Sequence, residues 1–214
     1  MTTPATKPVA VGTPAPAAGR PSAHPLVRPA IVSIIGFSVL TLIYTVIVTG
    51  LAQVLFPWRA NGSLVTVRDT VRGSELIAQP FTTPGYFWPR PSATSPAYNG
   101  ASSSGSNLGP TNPALAKAVE ANVKALHDAD PGDTAAIPVD LVTASASGQD
   151  PHISPEAAEY QVARVARARR VSAASVRAIV AAHTEGSTLM VLGEPRVNVL
   201  LLNLALDSAF GGRQ

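Results

Sequence analysis

Residues 30–56 read AIVSIIGFSVLTLIYTVIVTGLAQVLF, with no charged side chain between Arg28 and Arg59. A water-soluble domain has no use for an apolar run of that length. In a helix rising 1.5 Å per residue, 27 residues reach about 40 Å, more than the roughly 30 Å of a bilayer's hydrocarbon core. Tilt absorbs the surplus. A cleaved leader would carry an apolar region of only about 7 to 15 residues, ending at a small-residue cleavage site. This run starts after a 28-residue leader and leaves through Phe56-Pro57-Trp58-Arg59, where Trp58 suits the membrane interface. The expectation is a retained anchor over residues 29–56.

Working outward, residues 1–28 (MTTPATKPVAVGTPAPAAGRPSAHPLVR) are a Pro/Ala/Thr tail expected to be disordered, because it has too little apolar surface to offset its ordering entropy. Residues 57–214 are expected to form one compact domain of mixed α/β class. Lys7, Arg20 and Arg28 precede the anchor without any acid, whereas Arg59 onward holds 13 basic and 13 acidic residues. The domain is neutral, so a pI near 9.6 does not argue for nucleic acid. Cysteine is absent, which excludes disulfides, thiolate metal sites and cysteine nucleophiles. Arg20 and Arg28 on one side balance Arg59, Arg68 and Arg72 on the other, so local charge does not orient the anchor.

Within the domain, Gly62–Val71 alternates like one or two short strands bounded by Gly73. Gln79–Pro113 is rich in proline, glycine and serine and carries Tyr86, Phe87, Trp88 and Tyr98. Loops this long in compact domains bind something or are packed down, and the aromatics favour an ordered, docked loop. Asn112-Pro113, Ser154-Pro155-Glu156 and Ser172 predict helix starts. The helices should run to Pro131-Gly132, about Arg169 and about His183. Ile137–Thr143 reads as a strand. VNVLLLNLAL, from Val197, is a helix or a buried strand that periodicity does not separate; helix is the expectation.

Several chemistries find little footing. Gly100 and Gly105 have P-loop spacing, but Ser106-Asn107 follow where Lys-Ser/Thr belongs. Asp150, His152 and Glu156 lie close in sequence but match no metal signature, and Asp150 and His152 are expected to pin their loop onto the Ser154 helix. Serines are plentiful, yet no G-x-S-x-G elbow occurs. Asp130 and Asp133 read as solvated turn acids, and Arg164, Arg167, Arg169, Arg170 and Arg177 as a solvated helix face. In the anchor, Ser33, Thr41, Thr45 and Thr49 share a row, with Gly36 near its start. Such residues suit close helix–helix contact in lipid, while the bland alternative is hydroxyls bonded back to their own helix.

Four ordered stretches, Tyr86–Thr94, Ser104–Ala116, Ile137–Glu159 and Leu192–Ser208, resemble the C subunit of the Kdp-type potassium-transporting ATPase, over roughly residues 30–208. The resemblance implies a single-pass, non-catalytic accessory chain of a bacterial plasma-membrane complex. Its partners would be a potassium-channel-like subunit, a P-type ATPase subunit and a small membrane peptide, with lipid around the anchor. It also implies residues 1–28 inside and 57–214 outside, and ATP and potassium handled by the complex rather than by a cofactor site here. The missing Asp-Lys-Thr phosphorylation motif then belongs to another chain. Candidate contacts are Arg90, Pro91, Ser106, Asn107, Leu108, Gly109, Asp150 and His152 in the loops, with Gly36, Thr41, Thr45 and Thr49 in the anchor. A family-level idea of a catalytic chaperone raising ATP affinity leaves Gln149 and Gln161 as weak adenine-contact candidates. The alternative from another class is a free-standing membrane-anchored serine hydrolase.

Overall fold

The computed structural model describes residues 25–188 and 191–212, so most of the Pro/Ala tail lies outside the described residues. The chain divides into two compact units at Leu55/Phe56.

The first unit is dominated by helix α1, Val27–Leu55, whose apolar side chains are exposed along its whole length. Its Val, Ile and Thr content is poor for a helix in water. In hydrocarbon, however, a helix satisfies every backbone N–H and C=O within the segment. It is long and apolar enough to cross a membrane.

The second unit opens with a four-residue helix α2, Pro57–Ala60, then strands β1, Leu64–Val67, and β2, Thr70–Ser74, as an antiparallel hairpin. Val67 pairs with Thr70, leaving a two-residue loop in which Arg68 and Asp69 both have positive φ, 50° and 61°. That sign pattern is the primed turn that matches strand twist, and it normally recruits Asn or Gly. The second strand runs through Gly73 rather than stopping before it.

Helix α3, Pro113–Ala129, starts where expected, with the Asn112 side chain accepting from Ala114 N at 2.9 Å. Strand β3, His152–Ile153, leads into α4, Pro155–Arg169; Ser154 Oγ caps it from Ala157 N at 3.0 Å. Arg170, at φ 58°, closes it in the left-handed region. Helix α5, Ala173–Ala182, is capped by Ser172. Strands β4, Thr184–Glu185, and β5, Arg196–Asn198, complete a three-stranded antiparallel sheet of order β3-β5-β4. Helix α6, Val199–Phe210, follows directly, capped by Asn198. The ambiguous apolar run is therefore mainly a helix, entered through a short strand.

Ile137–Thr143 is not a strand. Pro138 has no N–H for a ladder, and the chain instead makes a 3-10 turn, Val139–Leu141. The turn buries Leu141 in the core and lets Asp140 Oδ2 accept the Ser154 N–H at 2.8 Å, just ahead of α4. The core lies among Val162 and Val165 of α4, Val176 of α5, Leu202 and Leu206 of α6, Ile153 and Val197 of the sheet, and Phe87 from the long loop.

Candidate functional site: a clamped loop and the cleft beside it

The Gln79–Pro113 loop is ordered, and buried polar side chains hold it. Asn203 of α6 accepts from Phe87 N at 2.8 Å and donates to Phe87 O at 3.0 Å. Gln161 of α4 does the same to the next residue, accepting from Trp88 N at 2.8 Å and donating to Trp88 O at 3.2 Å. Each side-chain amide takes the place of a neighbouring strand's peptide. Gln161 and Asn203 are each 1 % exposed, so these bonds complete an accounting that would otherwise leave buried backbone groups unpaired.

Two arginines extend the clamp. Arg164 donates to Pro84 O at 2.7 Å, to Tyr86 O at 3.1 Å and to the Gln161 carbonyl, and it lies 4.6 Å from the Trp88 ring centre. Burial lowers its guanidinium to about 10, partly offset by Asp130 and Tyr160, so it stays charged at neutral pH. Arg169 donates to Gly85 O at 2.6 Å and to Asp207 Oδ1 at 2.7 Å, and stacks over Tyr86 at 4.8 Å. Tyr86 in turn donates to Asp207 Oδ2 at 2.9 Å; burial first, then that bond and the Asp207 charge, raise its phenol.

The arginine face expected in water is therefore split. Arg167, Arg170 and Arg177 are exposed, but Arg164 and Arg169 are buried at 5 % and 4 %. Asp130 is buried too, paired with Arg167. A signal for both buried arginines existed: Arg164 follows Gln161 by one turn and Arg169 follows Val165 by one turn, on the inward face.

Beyond the clamp, Ser92 Oγ donates to Gly148 O at 2.6 Å and accepts from Thr94 N and Tyr98 N. Gly148 has φ +67°, and a Cβ there would sit 2.5 Å from Ser104 O. The glycine thus lets the 144–149 loop press against the 92–104 segment. Ser104 N donates to Ser147 O at 3.0 Å, and no helix begins until Pro113; the Gly100–Ser106 stretch is a packed serine loop rather than a phosphate cradle.

Three predicted contact residues meet. Asp150 is 3.3 Å from Arg90 Nη1 and 3.5 Å from His152 Nδ1, and its Oδ1 accepts the His152 N–H at 3.0 Å. Burial raises the Asp150 carboxyl, but the two bonds from His152 and the Arg90 charge outweigh it, leaving it below the ordinary 3.8. The three line a cleft of about 590 Å³ that also holds Glu156, Glu194 and Arg196. Arg90, Asp150, His152 and Arg196 are half-exposed and Glu156 and Glu194 exposed, so the cleft presents both signs of charge. Among the described residues no cluster of side chains can hold a metal ion, and no serine hydroxyl is bonded to a histidine.

The other candidates fall elsewhere. Ser106, Asn107 and Gly109 are exposed and Leu108 half-buried, on a separate strip leading to α3. Pro91 uses its carbonyl on Ser145 N. The Gln149 amide donates to Asn99 O. Gln161 is 1 % exposed, with its amide bonded to Trp88, Arg164 and the Ala157 carbonyl of its own helix. In the anchor, Thr45 Oγ1 donates to Thr41 O at 2.8 Å, the own-helix bond named as the alternative; Gly36 and Thr49 lie on the same exposed helix.

These features define a class: a helix long and apolar enough to cross a membrane, followed by a small α/β domain whose buried polar groups fix loops and whose open groups line a mixed-charge cleft. The chain belongs to the family described as KdpC, the K+-transporting ATPase c chain, which it matches over residues 27–208. It is 59 % identical to the potassium-transporting ATPase KdpC subunit of Methylococcus capsulatus, covering 85 % of this chain and 96 % of that one. The corresponding subunit of Sorangium cellulosum is 61 % identical over 85 % of this chain and 97 % of its own. That of Herpetosiphon aurantiacus is 61 % identical over 84 % and 94 %.

Proposed function

We propose that this chain is the accessory subunit of an ATP-driven potassium uptake complex, and that it works by docking rather than by chemistry. The observation that carries the reading is the family match spanning both the anchor and the domain. On this reading α1 crosses a bacterial plasma membrane once, with residues 1–28 inside and 57–214 outside. The partners are a potassium-channel-like subunit, a P-type ATPase subunit and a small membrane peptide. The Arg90–Asp150–His152 cleft and the 106–109 strip are the docking surfaces, being polar loop surface on a scaffold the clamp makes rigid. Gly36, Thr41, Thr45 and Thr49 are the anchor's contact row.

ATP hydrolysis belongs to the subunit with the phosphorylation site, since this chain has no Asp-Lys-Thr motif. An effect on ATP affinity would be exerted through assembly, because the Gln149 and Gln161 amides are already engaged. The hydrolase alternative finds no support. Ser92, the most connected serine, is spent on loop hydrogen bonds.

The test is affinity purification of the tagged chain from its native membrane, assayed for potassium-stimulated ATPase. Co-purification of a P-type ATPase whose activity needs this chain is the expected result. Recovery of the chain alone, or labelling by an active-site serine probe, would overturn the reading.

A further inference from the structure

A cavity of about 650 Å³ in the domain shares no lining residue with the proposed docking cleft. Its lining includes the apolar side chains of Phe81, Leu200 and Leu204 and, from the β1–β2 hairpin, Arg68 and Arg72. Among the described residues neither arginine forms an ion pair. Both are exposed, and Arg68 sits at φ 50° in the primed turn. The turn itself does not call for an arginine there, since Asn or Gly fits that backbone better.

Charge at the cavity favours an anion. Asp207 is the one acid in its wall, and Arg169 and Tyr86 already bind both carboxylate oxygens. Asp69, beside Arg68 in the turn, is outside the wall. Ser208 and Gln79 add neutral polar groups. An anionic head beside a strip of hydrocarbon is the chemistry of an amphiphile. In sequence, the hairpin follows the apolar helix after only α2 and a short link.

We propose that this cavity binds an anionic phospholipid of the membrane that holds α1, with its phosphodiester on Arg68 and Arg72 and its alkyl part against Phe81, Leu200 and Leu204. The proposal rests on the reading of the chain as a membrane-anchored subunit. It adds a lipid contact to the domain, distinct from the lipid around the anchor.

The experiment uses the purified complex with the full chain, in nanodiscs of mixed phosphatidylglycerol and phosphatidylcholine. Trace photo-crosslinkable forms of each lipid are added and the labelled peptides mapped by mass spectrometry. Phosphatidylglycerol should label the 67–81 and 200–212 peptides at least about fivefold more than phosphatidylcholine, and Arg68→Gln with Arg72→Gln should remove that excess, as expected when two arginines near a surface attract an anionic headgroup. Arg68→Gly keeps the turn and should lower labelling without lowering the melting temperature, which separates a lost guanidinium from a lost fold. Equal labelling by both lipids, or labelling unchanged in the variants, would overturn the proposal. Competition by inorganic phosphate with no lipid label in the cavity would assign the site to a free anion and overturn the lipid assignment. Labelling confined to residues 56–60 would also refute the cavity site while leaving the membrane reading intact; failure of that reading shows separately, as loss of co-purifying ATPase.

Discussion

Replacing Asn203 by Leu keeps the branched shape and heavy-atom count of the side chain, with a somewhat larger volume, and deletes both bonds to Phe87. Asn203 and Phe87 are 1 % and 0 % exposed, so water does not replace them. Each buried backbone group left unpaired costs about 1–3 kcal/mol, giving about 2–6 kcal/mol for the pair. That is a large share of the roughly 5–15 kcal/mol that holds a domain together. Urea unfolding of the full chain in detergent, followed through Trp88 fluorescence, should show the midpoint falling by that amount. Hydrogen exchange should show Phe87 and Trp88 amides losing protection first. The Gln161→Leu variant should behave alike. Combined, the two should cost clearly less than their sum, because releasing either residue frees the same segment. A loss under about 1 kcal/mol, with exchange at Phe87 unchanged, would refute the claim that these amides hold the loop.

Further outcomes follow from the same geometry. Gly148→Ala meets Ser104 O and a left-handed φ at once, so it should destabilise by about 2–6 kcal/mol, read as a fall in melting temperature. Arg169→Met leaves the Asp207 carboxylate with the Tyr86 hydroxyl alone and should cost about 3–5 kcal/mol in the same assay. Asp150, held below its ordinary value, adds stability that is present above 3.8 and lost as pH falls through its folded value; Asp150→Asn should flatten the acid limb of a stability–pH curve. Tyr98 is pushed up to about 12 by burial. Its contribution is complete below the ordinary 10.0 and lost as pH rises toward 12, which ultraviolet titration of wild type against Tyr98→Phe should show.

The helices were legible because their signals are local. Asn112, Ser154 and Ser172 act within three residues of themselves, and Pro113 and Pro155 need no partner to favour a first turn. The long apolar helix was legible from composition alone. Ile137–Thr143 misled because an apolar run does not say whether its hydrogen bonds go to a ladder; here Asp140 was committed to the start of α4. The clamp was hidden for a related reason. Arg164 and Arg169 reach carbonyls about 80 residues earlier in the chain, and main-chain acceptors leave no trace in side-chain identity. The cleft was half visible. The DPH sequence placed Asp150 beside His152, but Arg90 joins them only once the loop is folded back.

Gln161 and Asn203 grip peptide groups, not side chains, and so are indifferent to which residues occupy positions 87 and 88 as long as their backbone keeps its place. The constraint on this segment is therefore one of count. Substitutions there are filtered by the space around each ring, whereas removing or adding one residue between Pro84 and Trp88 would put the groups on its two sides out of step, so that the arginines and the amides could not all keep their partners. Length, more than spelling, is what the 84–88 segment must inherit.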